Sequence, residues 1–224
     1  MQVVEKFISI NGEGYKAGQL ATFVRFKGCN LNCSYCDTKW ANQPDCPFTE
    51  ETPSQIAKYV LNTGIRNVTL TGGEPLLQPK MEDLIPRILW GDENIYIEIE
   101  TNGAVPIKPF KISTTDRLSF TMDYKLPSSG CEHLMCLENF KTLTMSDSVK
   151  FVVGSLEDLE RAKTIIEEYK LLKTEMSIFF SPVFGKIDPV KIVDFMKENN
   201  MNGMKLQLQM HKFIWHPDTR GVLS

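Results

Sequence analysis

The sequence predicts an α/β fold in which helices cover a mainly parallel sheet, either open or curled into a partial barrel. Three observations carry that expectation. Apolar, strand-like runs alternate with helical patterns along the chain. The strands read as short, nearly continuous apolar segments, as parallel strands buried on both faces do. The segments of unusual composition fall just after strands, where parallel architectures gather their working residues.

In chain order, "LATFVRFKG" (20–28) is the first full strand. Thr52, Pro53, Ser54 and Gln55 then open a helix with an N-cap, a first-turn proline and a capping-box partner. "NVTLT" (67–71) is the next strand, and a helix runs from the high 70s to about 89. Strands follow at "IYIEIE" (95–100), near 117–123, and at "VKFVV" (149–153). The charged segment "LEDLERAKTIIEEYK" (156–170) is a helix with Ile165, Ile166, Tyr169 and Leu172 as its core-facing stripe. Strand "SIFF", helix "DPVKIVDFMKENN" and a strand near "MKLQLQ" complete the pattern. Six or so β/α units fall short of a closed eight-fold barrel. No repeat, low-complexity tract or linker divides the chain, so a single domain over 1–224 is expected.

Composition narrows the function. The 224 residues are 42% hydrophobic and carry a formal net charge of −3, with no Lys/Arg run longer than a pair. Neither a nucleic-acid groove nor an anionic membrane surface is indicated, and a small-molecule substrate fits better. The N-terminal "MQVVEKFISINGEG" has no signal-peptide character and no apolar run approaches a membrane span, so a cytoplasmic protein is expected. Six cysteines in such a chain are thiols for metal or redox chemistry, not a disulfide scaffold.

Three of those cysteines stand in "KGCNLNCSYCDT" as Cys29, Cys33 and Cys36, spaced Cys-x3-Cys-x2-Cys. A structural zinc site wants four closed ligands, and His133, His211 and His216 lie about a hundred or more residues away. Three thiolates on a 4Fe–4S cluster leave one iron open to a substrate or cofactor, so the site reads as reactive, with zinc as the minor alternative. Two further polar, glycine-bearing loops follow strands: Thr71 to Pro75, and Thr101 to Gly103. Cys46, Cys131 and Cys136 match no such spacing and read as structural or incidental thiols, and His133 as a surface residue.

The Cys-x3-Cys-x2-Cys spacing, together with Gly72-Gly73-Glu74-Pro75 at the second-strand position, resembles the radical S-adenosylmethionine superfamily. Within it, "FISINGEGYKAGQLATFVRFKGCNLNCSYCDTKWA" (7–41) is similar to the start of the 7-carboxy-7-deazaguanine synthases of queuosine biosynthesis. Glu100-Thr101-Asn102-Gly103, Lys125 with Pro127-Ser128-Ser129, and "QMHKFIWHPDTRGV" (209–222) extend the likeness over nearly the whole chain. Two departures stand out. Asn11 replaces the usual Gln, and Asp123-Tyr124-Lys125 stands where many relatives have Ser-Pro-Lys.

The resemblance implies a partial (β/α)6-type barrel and a lyase that converts 6-carboxy-5,6,7,8-tetrahydropterin to 7-carboxy-7-deazaguanine with loss of ammonia. It implies a 4Fe–4S cluster on Cys29, Cys33 and Cys36, with Mg²⁺ at the hydroxyl of Thr38. S-adenosylmethionine would be held by Tyr35, Asp37, Gly73, Glu74, Tyr124 and Lys125. The pterin would meet Ile10, Asn11, Gly12, Glu13, Thr71, Glu100, Gln209 and His211. Arg25 would bind the pterin carboxylate, with Lys27 as second choice. A flavodoxin-type electron donor and a homodimer are further expectations. The competing readings are a glycyl-radical activating enzyme, which shares the cysteine spacing but needs a protein-docking groove, and a non-catalytic zinc or cluster-binding module.

Overall fold

The computed structural model describes residues 1–112, 115–216 and 219. Its frame is one nine-stranded sheet: β1 (Gln2–Ile10), β2 (Leu20–Phe26), β3 (Thr49–Glu50), β4 (Asn67–Gly72), β5 (Tyr96–Thr101), β6 (Leu118–Tyr124), β7 (Ser148–Val153), β8 (Ser177–Pro182) and β9 (Met204–Leu206). The strand order is β3-β1-β2-β4-β5-β6-β7-β8-β9, so β3 and β9 are its two ends. From β2 through β9 every pairing is parallel, while β1 runs antiparallel to both β2 and β3.

Four longer helices, α1 (Pro53–Asn62), α2 (Met81–Leu89), α3 (Leu156–Glu168) and α4 (Pro189–Glu198), cover one face, and a short α5 (His211–Ile214) follows β9. The start of α1 follows the expected capping box: Thr52 Oγ1 accepts from the Gln55 amide, and the Gln55 side chain accepts from the Thr52 amide. No α-helix lies between β5 and β6 or between β6 and β7 among the described residues; these connections use short 3₁₀ turns. Pro106 and Pro109 interrupt the first connection, and Pro127 with Gly130 interrupts the second.

Strand alternation sorts the side chains into two populations. Val24, Phe26, Val68, Leu70, Ile97, Ile99, Phe120, Met122, Val149, Phe151, Ile178 and Phe180 point to the helices and are at least nine-tenths buried. They pack with Ile56, Leu84, Ile88, Leu159, Ile165, Ile192 and Phe195 in one core cluster. Each such side chain contributes about 1.5–3 kcal/mol by leaving water. The alternate positions, including Arg25, Thr69, Thr71, Glu98, Glu100, Thr121, Asp123 and Lys150, are polar and face the concave side.

Two expectations change. The first strand is β1, a nine-residue segment missed at the sequence level, so "LATFVRFKG" is second. Leu172 is not part of the core stripe: α3 ends at Glu168, Tyr169 packs on the core only in part, and Leu172 is 55% exposed. The remaining stripe residues, Ile165 and Ile166, are buried as expected.

Candidate active site

At the carboxyl ends of the parallel strands the concave face opens into a cavity of about 310 Å³, within the range of small-molecule sites. The loop after β2 brings Cys29, Cys33 and Cys36 into its wall. That loop is pinned from two sides. Ser34 donates to the Ser129 carbonyl through its amide (3.0 Å) and to the Ser128 carbonyl through its hydroxyl (2.6 Å). The Gly73 amide bonds the Phe26 carbonyl (3.1 Å), and the Glu74 amide bonds the Gly28 carbonyl (2.8 Å).

The thiols differ in setting. Cys29 Sγ accepts from the Leu31 amide and from Asn102 Nδ2, both at 3.4 Å. Burial pushes the Cys29 and Cys33 thiols up, and for Cys33 the Lys125 ammonium is the charge that opposes it. Cys131, expected to be an incidental thiol, lies close enough to Cys33 to interact with it. Cys46 is buried with its thiol toward the Pro47 carbonyl, as a structural thiol.

The Gly-Gly turn after β4 is built for close backbone approach. A Cβ on Gly73 would lie 2.0 Å from the Gly28 carbonyl oxygen, so no side chain fits and the turn presents bare backbone to the cavity. Glu74 does not line the cavity, contrary to expectation. It is fully buried behind the turn, and its carboxylate accepts from the Leu76 and Asn102 amides and from Thr101 Oγ1. Burial pushes its carboxyl up to about 7. Glu74 therefore shapes the loop that carries Gly73 and the loop that carries Asn102.

Across the cavity, charges of alternating sign form a buried chain. Lys150 Nζ lies 2.6 Å from Glu13 and 3.0 Å from Asp123, and Asp123 lies 3.0 Å from Lys125. Ser181 Oγ donates to Glu13 at 3.0 Å. Burial opposes the charge on Lys150, but Asp123, Glu13 and Glu100 outweigh it and hold the ammonium well above the ordinary lysine range. Glu100, with its carboxyl raised by burial, accepts from Thr71 Oγ1 at 2.7 Å. Lys150 was not singled out in the sequence, although a lysine inside an apolar strand is itself a signal.

The remaining wall comes from the chain's two ends. Gln207 clamps Gly14, donating to its carbonyl (2.9 Å) and accepting from its amide (2.8 Å), and the Met210 amide bonds the Gly12 carbonyl (3.0 Å). Ile10, Gly12, Glu13, Gln209 and His211 thereby line the same cavity as Tyr35, Asp37 and Thr38. A Cβ on Gly12 would sit 2.2 Å from His211 Nδ1. Burial lowers the His211 imidazole pKa against the pull of Glu13 and Asp37, favouring the neutral ring. Asp37 pairs with Lys212 at 3.3 Å.

Arg25 lines the cavity but is not a lone cation: its Nε donates to Glu5 at 2.7 Å, and the β1–β2 register sets the two directly opposite. Lys27 lies outside this cavity, donating to the Pro44 and Cys46 carbonyls. Asn11 also faces away; its Oδ1 accepts from Thr69 Oγ1 at 2.7 Å, and its buried Nδ2 has no partner. Tyr124 is turned into the core because Asp123 and Lys125 take the cavity side; its ring stacks on Phe140 and its hydroxyl donates to Glu132. Of the tail 209–222, residues 217, 218 and 220–222 lie outside the described residues.

The donor chemistry fits the group that three thiolates imply, although among the described residues no three His, Cys, Asp or Glu side chains stand close enough together to hold a metal ion as they are placed. The thiols share one wall, Cys29 has two N–H donors of the kind that stabilise a ligating thiolate, and the bare Gly73 edge faces the same space. An anionic substrate meets a crowded charge balance. Among the described residues, each Lys or Arg lining the cavity already has a carboxylate partner: Arg25 with Glu5, Lys125 with Asp123, Lys150 with Glu13 and Asp123, Lys212 with Asp37.

Comparison with known proteins gives a consistent answer. Residues 23–124 match the model of the radical SAM superfamily. The chain is 54% identical over 221 residues to a 7-carboxy-7-deazaguanine synthase of Clostridium acetobutylicum, covering 99% of each. It is 36% identical to the corresponding synthase of Chlorobaculum tepidum, covering 99% of this chain and 97% of that one. The crystal structure of QueE from Escherichia coli superposes with a TM-score of 0.68 at 21% identity, over 94% of each chain, a likeness of fold.

Proposed function

The chain belongs to the 7-carboxy-7-deazaguanine synthases of the radical S-adenosylmethionine superfamily, and from that membership we propose how its cavity performs their reaction. The chain is a lyase that converts 6-carboxy-5,6,7,8-tetrahydropterin to 7-carboxy-7-deazaguanine and ammonia in queuosine and deazapurine biosynthesis. When bound, the 4Fe–4S cluster and S-adenosylmethionine would supply the radical chemistry that activates the pterin.

The chain's own residues bind, orient and exclude water. Cys29, Cys33 and Cys36 hold the cluster, and Leu31 and Asn102 steady the Cys29 thiolate by N–H donation. The backbone at Gly73, with Tyr35, Asp37 and Lys125, borders the space for S-adenosylmethionine. Glu13 and Glu100 are acceptors for the N–H edge of a pterin, and Thr71 fixes the Glu100 carboxylate in place. Neutral His211 offers a donor or acceptor beside Gly12, with Gln209 near it, and Ile10 closes an apolar side.

The observation that carries the reading is the charge balance. With each lining Lys or Arg already paired among the described residues, a substrate carboxylate needs an added cation, and the Thr38 hydroxyl lining the same cavity is an oxygen ligand suited to Mg²⁺. Arg25 supports it if the pterin carboxylate shares the guanidinium with Glu5. The same reading takes the chain as one cytoplasmic domain that works as a homodimer with a flavodoxin-type donor. Among the described residues, no helix is long and apolar enough to cross a membrane.

A Mg²⁺ titration tests this. Wild-type turnover should rise with Mg²⁺, and Thr38→Ala should lower both turnover and its Mg²⁺ response while retaining full iron content. A Thr38→Ala enzyme with the wild-type Mg²⁺ response would remove this threonine from the metal site.

A further inference from the structure

Lys150 stands among Val149, Phe151, Val152 and Val153 in strand β7, is 5% exposed, and bridges Glu13 and Asp123 at 2.6 and 3.0 Å. The charges it joins come from separate parts of the chain: Glu13 from the loop after β1, Asp123 and Lys125 from β6 and its exit. The two ends of this chain of charges have different neighbours. Lys125 acts electrostatically on Cys33 and Tyr35, at the cysteine loop. Glu13 acts on His211 and is held from behind by Ser181. Removing the ammonium would leave the Glu13 carboxylate without its counter-charge and Asp123 paired with Lys125 alone, so the link between the two carboxylates would be lost.

This inference rests on the proposed function, in which Glu13 meets the pterin and Lys125 meets S-adenosylmethionine. We propose that Lys150 is a positioning residue: it fixes Glu13 against the substrate and, through Asp123, ties the substrate end of the cavity to the cofactor end.

The test is anaerobic calorimetric binding of S-adenosylmethionine and of 6-carboxytetrahydropterin to the reconstituted protein, with steady-state kinetics and thermal unfolding, for Lys150→Met, Lys150→Arg and Asp123→Asn. A wild-type chain that binds no pterin overturns the functional reading and this proposal together. Given wild-type binding, Lys150→Met is expected to raise the pterin dissociation constant and KM at least tenfold while kcat changes less than threefold. It should also cleave more S-adenosylmethionine per product formed. Lys150→Arg should recover most of the affinity, because charge and reach are retained. A Lys150→Met protein that melts earlier yet binds both ligands as wild type does would mark the lysine as purely structural and overturn the proposal alone. If Lys150→Met does not fold, Asp123→Asn decides: weakened binding of both ligands supports the tie, and unchanged binding of both overturns it.

Discussion

The two faces of the same strands obey opposite rules. On the helix side, residues such as Leu70, Ile99, Phe120 and Phe151 form an apolar core with no polar partner to satisfy. On the concave side, the neighbours of those residues, Thr71, Glu98, Glu100, Thr121 and Lys150, are buried polar and charged groups held by one another. One face supplies stability. The other spends part of that stability to keep carboxylates and an ammonium in a shaped cavity. The comparison teaches that in this sheet the period-two alternation separates folding from chemistry residue by residue.

The comparison breaks most completely at the cysteine loop. Cys33→Ala should abolish reductive cleavage of S-adenosylmethionine, because the cluster loses a thiolate ligand, while the helix-side core is untouched. Cleavage assays should show Cys46→Ala unaffected, since that thiol lies outside the cavity wall. Full cleavage by Cys33→Ala would sink the assignment of the three thiols.

A smaller effect is expected from the opposite face. Phe120 is fully buried in the core, and Phe120→Ala should destabilise the metal-free chain by about 3–5 kcal/mol in urea unfolding. The protein that remains folded should bind S-adenosylmethionine with near wild-type affinity. A specific loss of affinity at unchanged stability would show that the faces are not separable at this position.

Smaller still, and of opposite sign, is the effect of relieving the polar face. Burial, reinforced by the Glu100 charge, pushes the Glu98 carboxyl up to about 7 against an ordinary glutamate value of 4.5. One of its oxygens is buried without a partner. The folded state therefore holds this proton more tightly than the unfolded state does. Its contribution is fully present below pH 4.5 and is lost as pH rises through about 7. Glu98→Gln should flatten that decline and stabilise the metal-free chain at pH 8 by up to roughly 3 kcal/mol. A variant less stable than wild type at pH 8, in urea titrations at pH 5 and pH 8, would contradict the proposed cost of the buried charge.

How much of this was legible in the sequence follows the same division. The parallel strands and the capped α1 were readable because apolar runs and a capping box are local signals. The cysteine loop and the Gly-Gly turn were readable because spacing alone restricts their chemistry. The missed strand β1 shows the limit. "QVVEKFISI" lacks clean alternation and pairs antiparallel at the sheet's edge region, so the sequence does not show that Glu5 stands opposite Arg25 and pairs with it. Tyr124 was misplaced for a related reason: motif position suggested a cofactor contact, whereas the parity of β6 sends Asp123 and Lys125 to the cavity and the tyrosine to the core. Asn11 could not be placed without the Thr69 hydroxyl that captures its amide oxygen. Lys150 became visible as a site residue only when Glu13, 137 positions away, came to lie against it.

The central claim is that the polar face, with its three thiols and paired charges, converts a carboxylated tetrahydropterin by radical chemistry. The most direct measurement is anaerobic incubation of the reconstituted chain with reductant, Mg²⁺, 6-carboxy-5,6,7,8-tetrahydropterin and a substoichiometric amount of S-adenosylmethionine, followed by mass spectrometry and ammonia determination. The account predicts 7-carboxy-7-deazaguanine and ammonia in equal amounts, exceeding the S-adenosylmethionine supplied. Cleavage of S-adenosylmethionine with the pterin recovered intact would contradict it.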